Sequence, residues 1–372
     1  GTGENSSLVC AVTAQGTLRT GEAPRLLQAD SGALGVQLAI SRPVQRAVEA
    51  VAASTITNGC ILVLDTATAA VRASVSVPCY DPERLADSLQ AENSPFLNRA
   101  LQSYAVGSVF KPVLAAAALE AGLQPVFECT GAVVVDGQIF RCAGGVPHGQ
   151  VDIAAALEKS CTGYFIRLGQ QLGAESLLDA AKAFGFGQSL PLAEGLAAEA
   201  GQLPAPQELA QSGQLANFSF GQGSLLAAPM QVAALFNTIA ADGVYRSPYV
   251  LQATLDETTG QPVETLSHPR GRRVISAQNA ALLRAMLVQV VQQGTAQDAA
   301  GLSGGAGGKT GTAQTGQFTP EGTERCNLWF AGFWPAEKPR YTIVVLQDGA
   351  VHTAYSGATI FAQVCNALEA AG

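Results

Sequence analysis

Residues 103–122 read SYAVGSVFKPVLAAAALEAG and place a serine and a lysine at the head of an almost wholly apolar helix. Alanine and leucine are strong helix formers, and Gly122 suits a C-terminal cap. Pro112 is tolerated in a first turn, where its missing N–H costs little. Ser108 and Lys111 lie three positions apart and share one helical face. Helix stability does not ask for that lysine, because a cation near the positive end of the helix dipole is mildly unfavourable. Two readings compete. In the first, Ser108 is a cap and Lys111 a surface cation. In the second, Ser108 is a nucleophile and Lys111 its base, which requires a lysine pKa lowered by desolvation or by a second cation. The apolar helix supplies the desolvation; a second cation has to come from elsewhere in the chain.

The rest of the chain sets bounds. Its 372 residues are 48% hydrophobic and 13% charged, ample for one large domain or two smaller ones. Net charge is −8 with no basic run, which argues against binding a nucleic-acid backbone. No run of roughly 18 apolar residues occurs, the length a membrane-spanning helix needs. The chain opens on Gly1 with no signal peptide, so an upstream segment is expected to be missing. Eight cysteines neither build a dense disulfide framework nor exclude one.

Residues 1–34 are polar, Gly-rich and weakly patterned. From Gly35 the periodicities sharpen. GVQLAI reads as a strand and RPVQRAVEAVAAS as a helix. GCILVLD and AVRASVSV form a hairpin, and VVVDGQIF a second one turned by Asp136-Gly137. Residues 151–187 read as helices with Gly breaks, and LAEGLAAEAGQLPAPQELAQSG as a long loop. Helices are expected in FGQGSLLAAPMQVAALFNTIAADG and AQNAALLRAMLVQVVQQG. Strands LWFAGFWP and YTIVVLQ and a last helix end the chain. Strands at both ends with helices between predict a sheet closed by its first and last segments.

The second cation is offered by GGAGGKTGTAQ, where Lys309-Thr310-Gly311-Thr312 follows a run of glycines. Gly311 would let a ligand lie against the backbone, and the hydroxyls of Thr310 and Thr312 would face it. A free N–H there would serve an oxyanion hole. The alternative is an ordinary turn leading into a strand. Between the two lysines lies ALEKSCTGYF, whose Ser160 is either a helix cap or a proton relay between Lys111, Lys309 and a leaving amine. In the relay reading each ammonium lowers the pKa of the other.

GSVFK, SCT and KTGT, in that order, resemble the three motifs of serine penicillin-binding proteins and β-lactamases. The flanks sharpen the likeness: Ala-Val-Gly before the serine, His148-Gly149 before the second motif, FGQG with a P-x-Q helix, and WFAGFWP after the third. Together they resemble the transpeptidase domain of class B penicillin-binding proteins over residues 35–372, with 1–34 a remnant of the non-catalytic region. The resemblance implies an α+β fold, with a mainly antiparallel central sheet flanked by helices and an inserted all-helical subdomain. It implies that Ser108 is acylated, Lys111 is its base and Ser160 the relay. Lys309 and Thr310 would bind the donor carboxylate, and the N–H groups of Ser108 and Thr312 would form the oxyanion hole. The implied reaction is D,D-transpeptidation of peptidoglycan stem peptides, without a catalytic cofactor and blocked covalently by β-lactams. The implied place is the extracytoplasmic face of the cell membrane, beside a glycosyltransferase partner. One position departs from the pattern: the usual S-x-N ends here in Thr162, whose one hydroxyl replaces an amide donor and acceptor. That bears on turnover more than on acylation. A β-lactamase and a β-lactam-sensing or degenerate domain are the alternatives; the E-x-x-x-N of class A β-lactamases is absent between Ser160 and Lys309.

Cys129, Cys142, His148 and Cys161 all fall between the first two motifs. The first two cysteines flank the Asp136-Gly137 hairpin, so folding it brings them together. Three thiolates and an imidazole make a tetrahedral Cys3His set for a structural zinc. A Cys129–Cys142 disulfide, or a Cys161 that is only a small buried hydrophobe, are the other readings.

Overall fold

The computed structural model describes residues 6–9, 25–28, 34–256, 259–268 and 270–371. The remainder of the 1–34 stretch lies outside the described residues. Two compact units emerge. The smaller holds the residues up to Leu38 together with Leu251–Ser267. In it Ser6–Val9 pairs with Arg25–Gln28, and Leu251–Asp256 pairs on one side with Leu34–Leu38 and on the other with Pro262–Thr265.

The larger unit, Ala39–Val250 and His268 onward, is built on a five-stranded antiparallel sheet. Its strands are β1 (Gly59–Asp65), β2 (Val71–Val77), β3 (Gly307–Phe318), β4 (Glu324–Trp334) and β5 (Tyr341–Ala350), in the order β3-β4-β5-β1-β2. The apolar run GCILVLD is buried on both faces, as a central strand requires, whereas VRASVSV alternates at the edge. β5 sets Tyr341 opposite Asp65, so the first and last parts of the chain do close one sheet.

Helices cover both faces. α1 (Arg42–Thr55) and α7 (Gly357–Ala370) share one side, where Phe361 packs on Phe330 with ring centroids 4.6 Å apart. Thr342 stands opposite Phe333, three positions from Phe330, and therefore points to the other face. There it donates to Asn237 of α5 (Pro229–Ala240) at 3.0 Å.

The long insertion between β2 and β3 carries α2 (Lys111–Glu120), α3 (Ile153–Glu158), α4 (Thr162–Ala183), α5 and α6 (Ala277–Gln292). It is not wholly helical, since short two-stranded ribbons join the helices. The segment expected to be a long loop contains one of them. Leu190–Ala193 and Leu196–Ala198 pair around a turn at Gly195, and Leu190, Leu192 and Ala198 are buried. Short helices Pro206–Leu209 and Ser212–Ser219 follow. Its Ala, Gly and Glu content hid a half-buried pattern. No helix among the described residues is long and apolar enough to cross a membrane.

Candidate active site

The first motif is bent more tightly than an α-helix. Gly107 to Phe110 form a 3-10 turn, and α2 begins only at Lys111, with Pro112 in its first turn. Gly107 has φ +59°, and a Cβ on it would stand 2.5 Å from the Thr312 carbonyl oxygen. Glycine therefore lets the serine turn press on β3. The Gly107 N–H donates to Gly221 of the FGQG stretch at 2.9 Å. The preceding Ala105 carbonyl accepts from Trp329 Nε1 at 3.0 Å and from Asn327 Nδ2 at 3.4 Å. Ser108 is half-buried at the mouth of this turn.

Lys111 is completely buried, which rules out the surface-cation reading. Its Nζ donates to the Ser160 carbonyl at 2.7 Å and to Ser160 Oγ at 3.2 Å, and lies 5.5 Å from the centre of the Phe165 ring. Ser160 sits between α3 and α4 with φ +52°, a conformation costly for a residue with a side chain. That bend turns both its carbonyl and its hydroxyl toward the lysine. Burial pushes Lys111 down to about 8, partly offset by the negative character of the Cys161 and Cys142 thiols. The expected mutual lowering of the two lysines is thus one-sided. Lys309 is held well below its ordinary value by burial first and by the Lys111 charge second.

Lys309 is also wholly buried, and its Nζ donates to the Thr310 carbonyl at 3.1 Å and more weakly to Thr310 Oγ1 at 3.5 Å. The KTGT residues lie within edge strand β3 rather than in a turn before it. The reason for Gly311 also differs from the expected one. A Cβ there would meet Val109 Cγ1 at 2.9 Å, so the missing side chain makes room for the protein's own serine turn, not for a ligand.

These segments enclose a cleft of about 280 Å³ lined by Ser108, Ser160, Thr162, Thr310, Gly311 and Thr312. A larger hollow of about 430 Å³ around Asn58, Arg325 and His352 contains no residue of the three motifs. A hollow of about 480 Å³ around Arg284, Gln292 and Glu337 is larger still and also contains none of them, so volume does not single out the motif cleft. Lys159, Phe220, Gln222 and Thr295 also line the cleft, and sequence reasoning missed them. Only the FGQG stretch carried any signal, and it pointed to a motif rather than to a wall of the site.

The Cys/His group assembles beside the second motif. Asp136 and Gly137 turn the hairpin with φ of 48° and 79°, and Cys129 and Cys142 meet beyond its open end. Sγ to Sγ distances are 3.6 Å for Cys129–Cys142 and 3.9 Å for Cys142–Cys161, and Cys129 Sγ is 3.4 Å from His148 Nδ1. All four ligand atoms lie within 4.8 Å of one another. A disulfide needs about 2.05 Å, and these cysteines are free. Two sulfurs held at roughly 2.3 Å by one tetrahedral zinc stand about 3.8 Å apart, close to both measured separations. Cys161 also accepts from the Tyr164 N–H at 3.4 Å, capping α4.

Residues 59–368 match the penicillin binding protein transpeptidase domain family. The chain is 32% identical over 335 residues to the peptidoglycan D,D-transpeptidase PbpA of Mycolicibacterium smegmatis, covering 84% of this chain and 67% of that protein. It is 32% identical over 296 residues to stage V sporulation protein D of Bacillus subtilis, covering 78% of this chain but only 45% of that protein. Among solved structures, the imipenem acyl-enzyme complex of penicillin-binding protein A from M. tuberculosis superposes with a TM-score of 0.79 at 26% identity. The superposition covers 90% of this chain and 79% of that one.

Proposed function

The chain belongs to the penicillin-binding protein transpeptidase family, and from that premise we propose that Ser108 forms an acyl-enzyme with a peptidoglycan stem peptide and passes it to an acceptor amine. Lys111 in its neutral form takes the Ser108 proton as Oγ attacks the carbonyl of the terminal peptide bond. The N–H groups of Ser108 and Thr312 receive the oxyanion. Ser160 hands its proton to the departing amine and regains one from the Lys111 ammonium through their hydrogen bond, which returns Lys111 to its neutral form, and in the second half-reaction the same groups work in reverse on the incoming amine. Thr310, beside Lys309, holds the donor carboxylate. The observation that carries this reading is the buried Lys111 amine, bonded to Ser160, which shares a cleft with Ser108 and Thr310–Thr312. β-Lactams enter as mimics of the donor and stay as slowly released adducts. The proposed setting is the extracytoplasmic face of the cell membrane, with a glycosyltransferase that supplies nascent glycan strands as the partner.

Supplying polymerised lipid-linked substrate tests the reading. Cross-linked muropeptides should form and disappear when penicillin is added first. Acylation by penicillin with no cross-linking would leave a β-lactam-binding domain without transferase activity. Thr162 bears on this outcome, since it lines the cleft where the family pattern supplies an amide.

We also propose that Cys129, Cys142, His148 and Cys161 hold a structural zinc. Four protein ligands close the shell, so the metal would supply no Lewis acid to the reaction. Its role would be to tie the 132–141 hairpin to the loop that carries Ser160. The support is the set of ligand separations together with the donor chemistry. Elemental analysis should find about one zinc per chain. Cys142→Ser should lose the metal, melt at lower temperature and acylate more slowly. Metal-free protein with a mapped Cys129–Cys142 disulfide would end the zinc reading.

A further inference from the structure

Among the described residues that line the cleft, Lys159 alone carries a charged side chain, and it belongs to none of the three motifs. Lys111 and Lys309 are completely buried and line no part of the cleft surface. Lys159 is exposed, and among the described residues no carboxylate pairs with its ammonium.

An ordinary use for such a lysine is to complement the negative end of a helix, here α3. That end is already closed by the backbone. The Ala155, Ala156 and Leu157 carbonyls accept from the N–H groups of Lys159, Cys161 and Ser160 at 2.9, 2.8 and 3.2 Å. The side chain is left over. The chain as a whole is acidic, at −8, so its general field repels anionic ligands. A cleft lined by no carboxylate and one free cation is a local exception to that field.

The position of Lys159 points to the part of the substrate it meets. β3 brings Thr310–Thr312 to one wall, and the loop after α3 brings Lys159, Ser160 and Thr162 to another. In the transpeptidase reading Thr310 already holds the carboxylate on the leaving side of the scissile bond. That leaves Lys159 to the side that stays on the serine. An ammonium can donate to a carboxylate or to a carboxamide oxygen, but only the carboxylate adds the attraction of opposite charges.

We propose that Lys159 is a specificity-determining residue that favours donors, and β-lactam mimics of them, whose retained acyl part carries a carboxylate. The proposal rests on the transpeptidase reading of the cleft.

The test uses the whole chain and two penicillins with the same nucleus, benzylpenicillin and carbenicillin. The second adds a carboxylate to the acyl side chain. Acylation rates are followed by mass spectrometry at low salt. Lys159→Gln should lower the rate constant for carbenicillin roughly two- to fivefold relative to benzylpenicillin, the weight of an exposed ion pair. Lys159→Arg keeps the cation and should keep the wild-type ratio. At about 1 M salt, where screening acts within about 3 Å, the wild-type ratio should fall to that of the glutamine variant. Equal slowing of both drugs would mark a merely structural lysine and overturn the proposal, as would an unchanged ratio. A wild-type chain acylated by neither drug would instead overturn the transpeptidase reading itself.

Discussion

Ser108→Ala should abolish acylation by penicillin and by donor peptide, because the oxygen that forms the ester is gone. The fold should survive. Among the described residues no group hydrogen-bonds the Ser108 hydroxyl, which sits in a 3-10 turn rather than at a capping position. Its loss should therefore change stability by no more than about 1 kcal/mol. A stopped-flow assay with fluorescent penicillin, paired with a melting curve, checks both halves. Retained acylation in a folded variant would mean that another residue is the nucleophile.

Lys111→Ala should slow acylation by about 10²- to 10⁴-fold, the usual weight of a positioned general base. The pH profile identifies the cause. Lys111 titrates near 8, so below that pH the neutral form needed to accept a proton thins about tenfold per unit. Wild-type acylation should rise with pH up to about 8 and then level, and the variant should lose this limb. Lys111→Arg keeps the charge but cannot deprotonate, and should be as slow as the alanine variant. Stability should move little, because two effects oppose each other. The buried lysine has a folded pKa below its unfolded one, so its charge opposes folding at neutral pH. The cost is on the order of 3 kcal/mol and fades as pH rises from about 8 to about 10. Removing it relieves that cost but strips the Ser160 carbonyl of its donor, worth about 1–3 kcal/mol. An unchanged pH limb in Lys111→Ala would contradict the lysine-base mechanism.

The parts of this molecule that were legible in its sequence are those governed by local periodicity. The apolar run of β1, the alternation of β2, the Asp136-Gly137 turn and the spacing along α1 each specify their element without distant help. The closure of the sheet by its two ends followed from the order of the elements. The three motifs were legible and the structure brings them to one cleft, but the physics of that cleft was not legible. That Lys111 owes its low pKa to burial and not to Lys309 depends on how tightly α2 packs, which spacing does not report. The role of Gly311 depends on Val109 standing across from it, and Thr295 reaches Thr310 only because α6 ends beside α3. The hairpin at 190–198 was lost for a related reason. Leucines and alanines among glycines and glutamates carry a strand pattern too faint to see before the buried face is known.

The central claim is that the cleft holds an acylating serine at Ser108. Mass spectrometry of the intact chain after incubation with penicillin, followed by peptide mapping, addresses it most directly. The account predicts a gain of one drug mass per chain, located on Ser108 and persisting long after free drug is removed. An unmodified chain, an adduct on another residue, or rapid return to the starting mass with the drug consumed would contradict it.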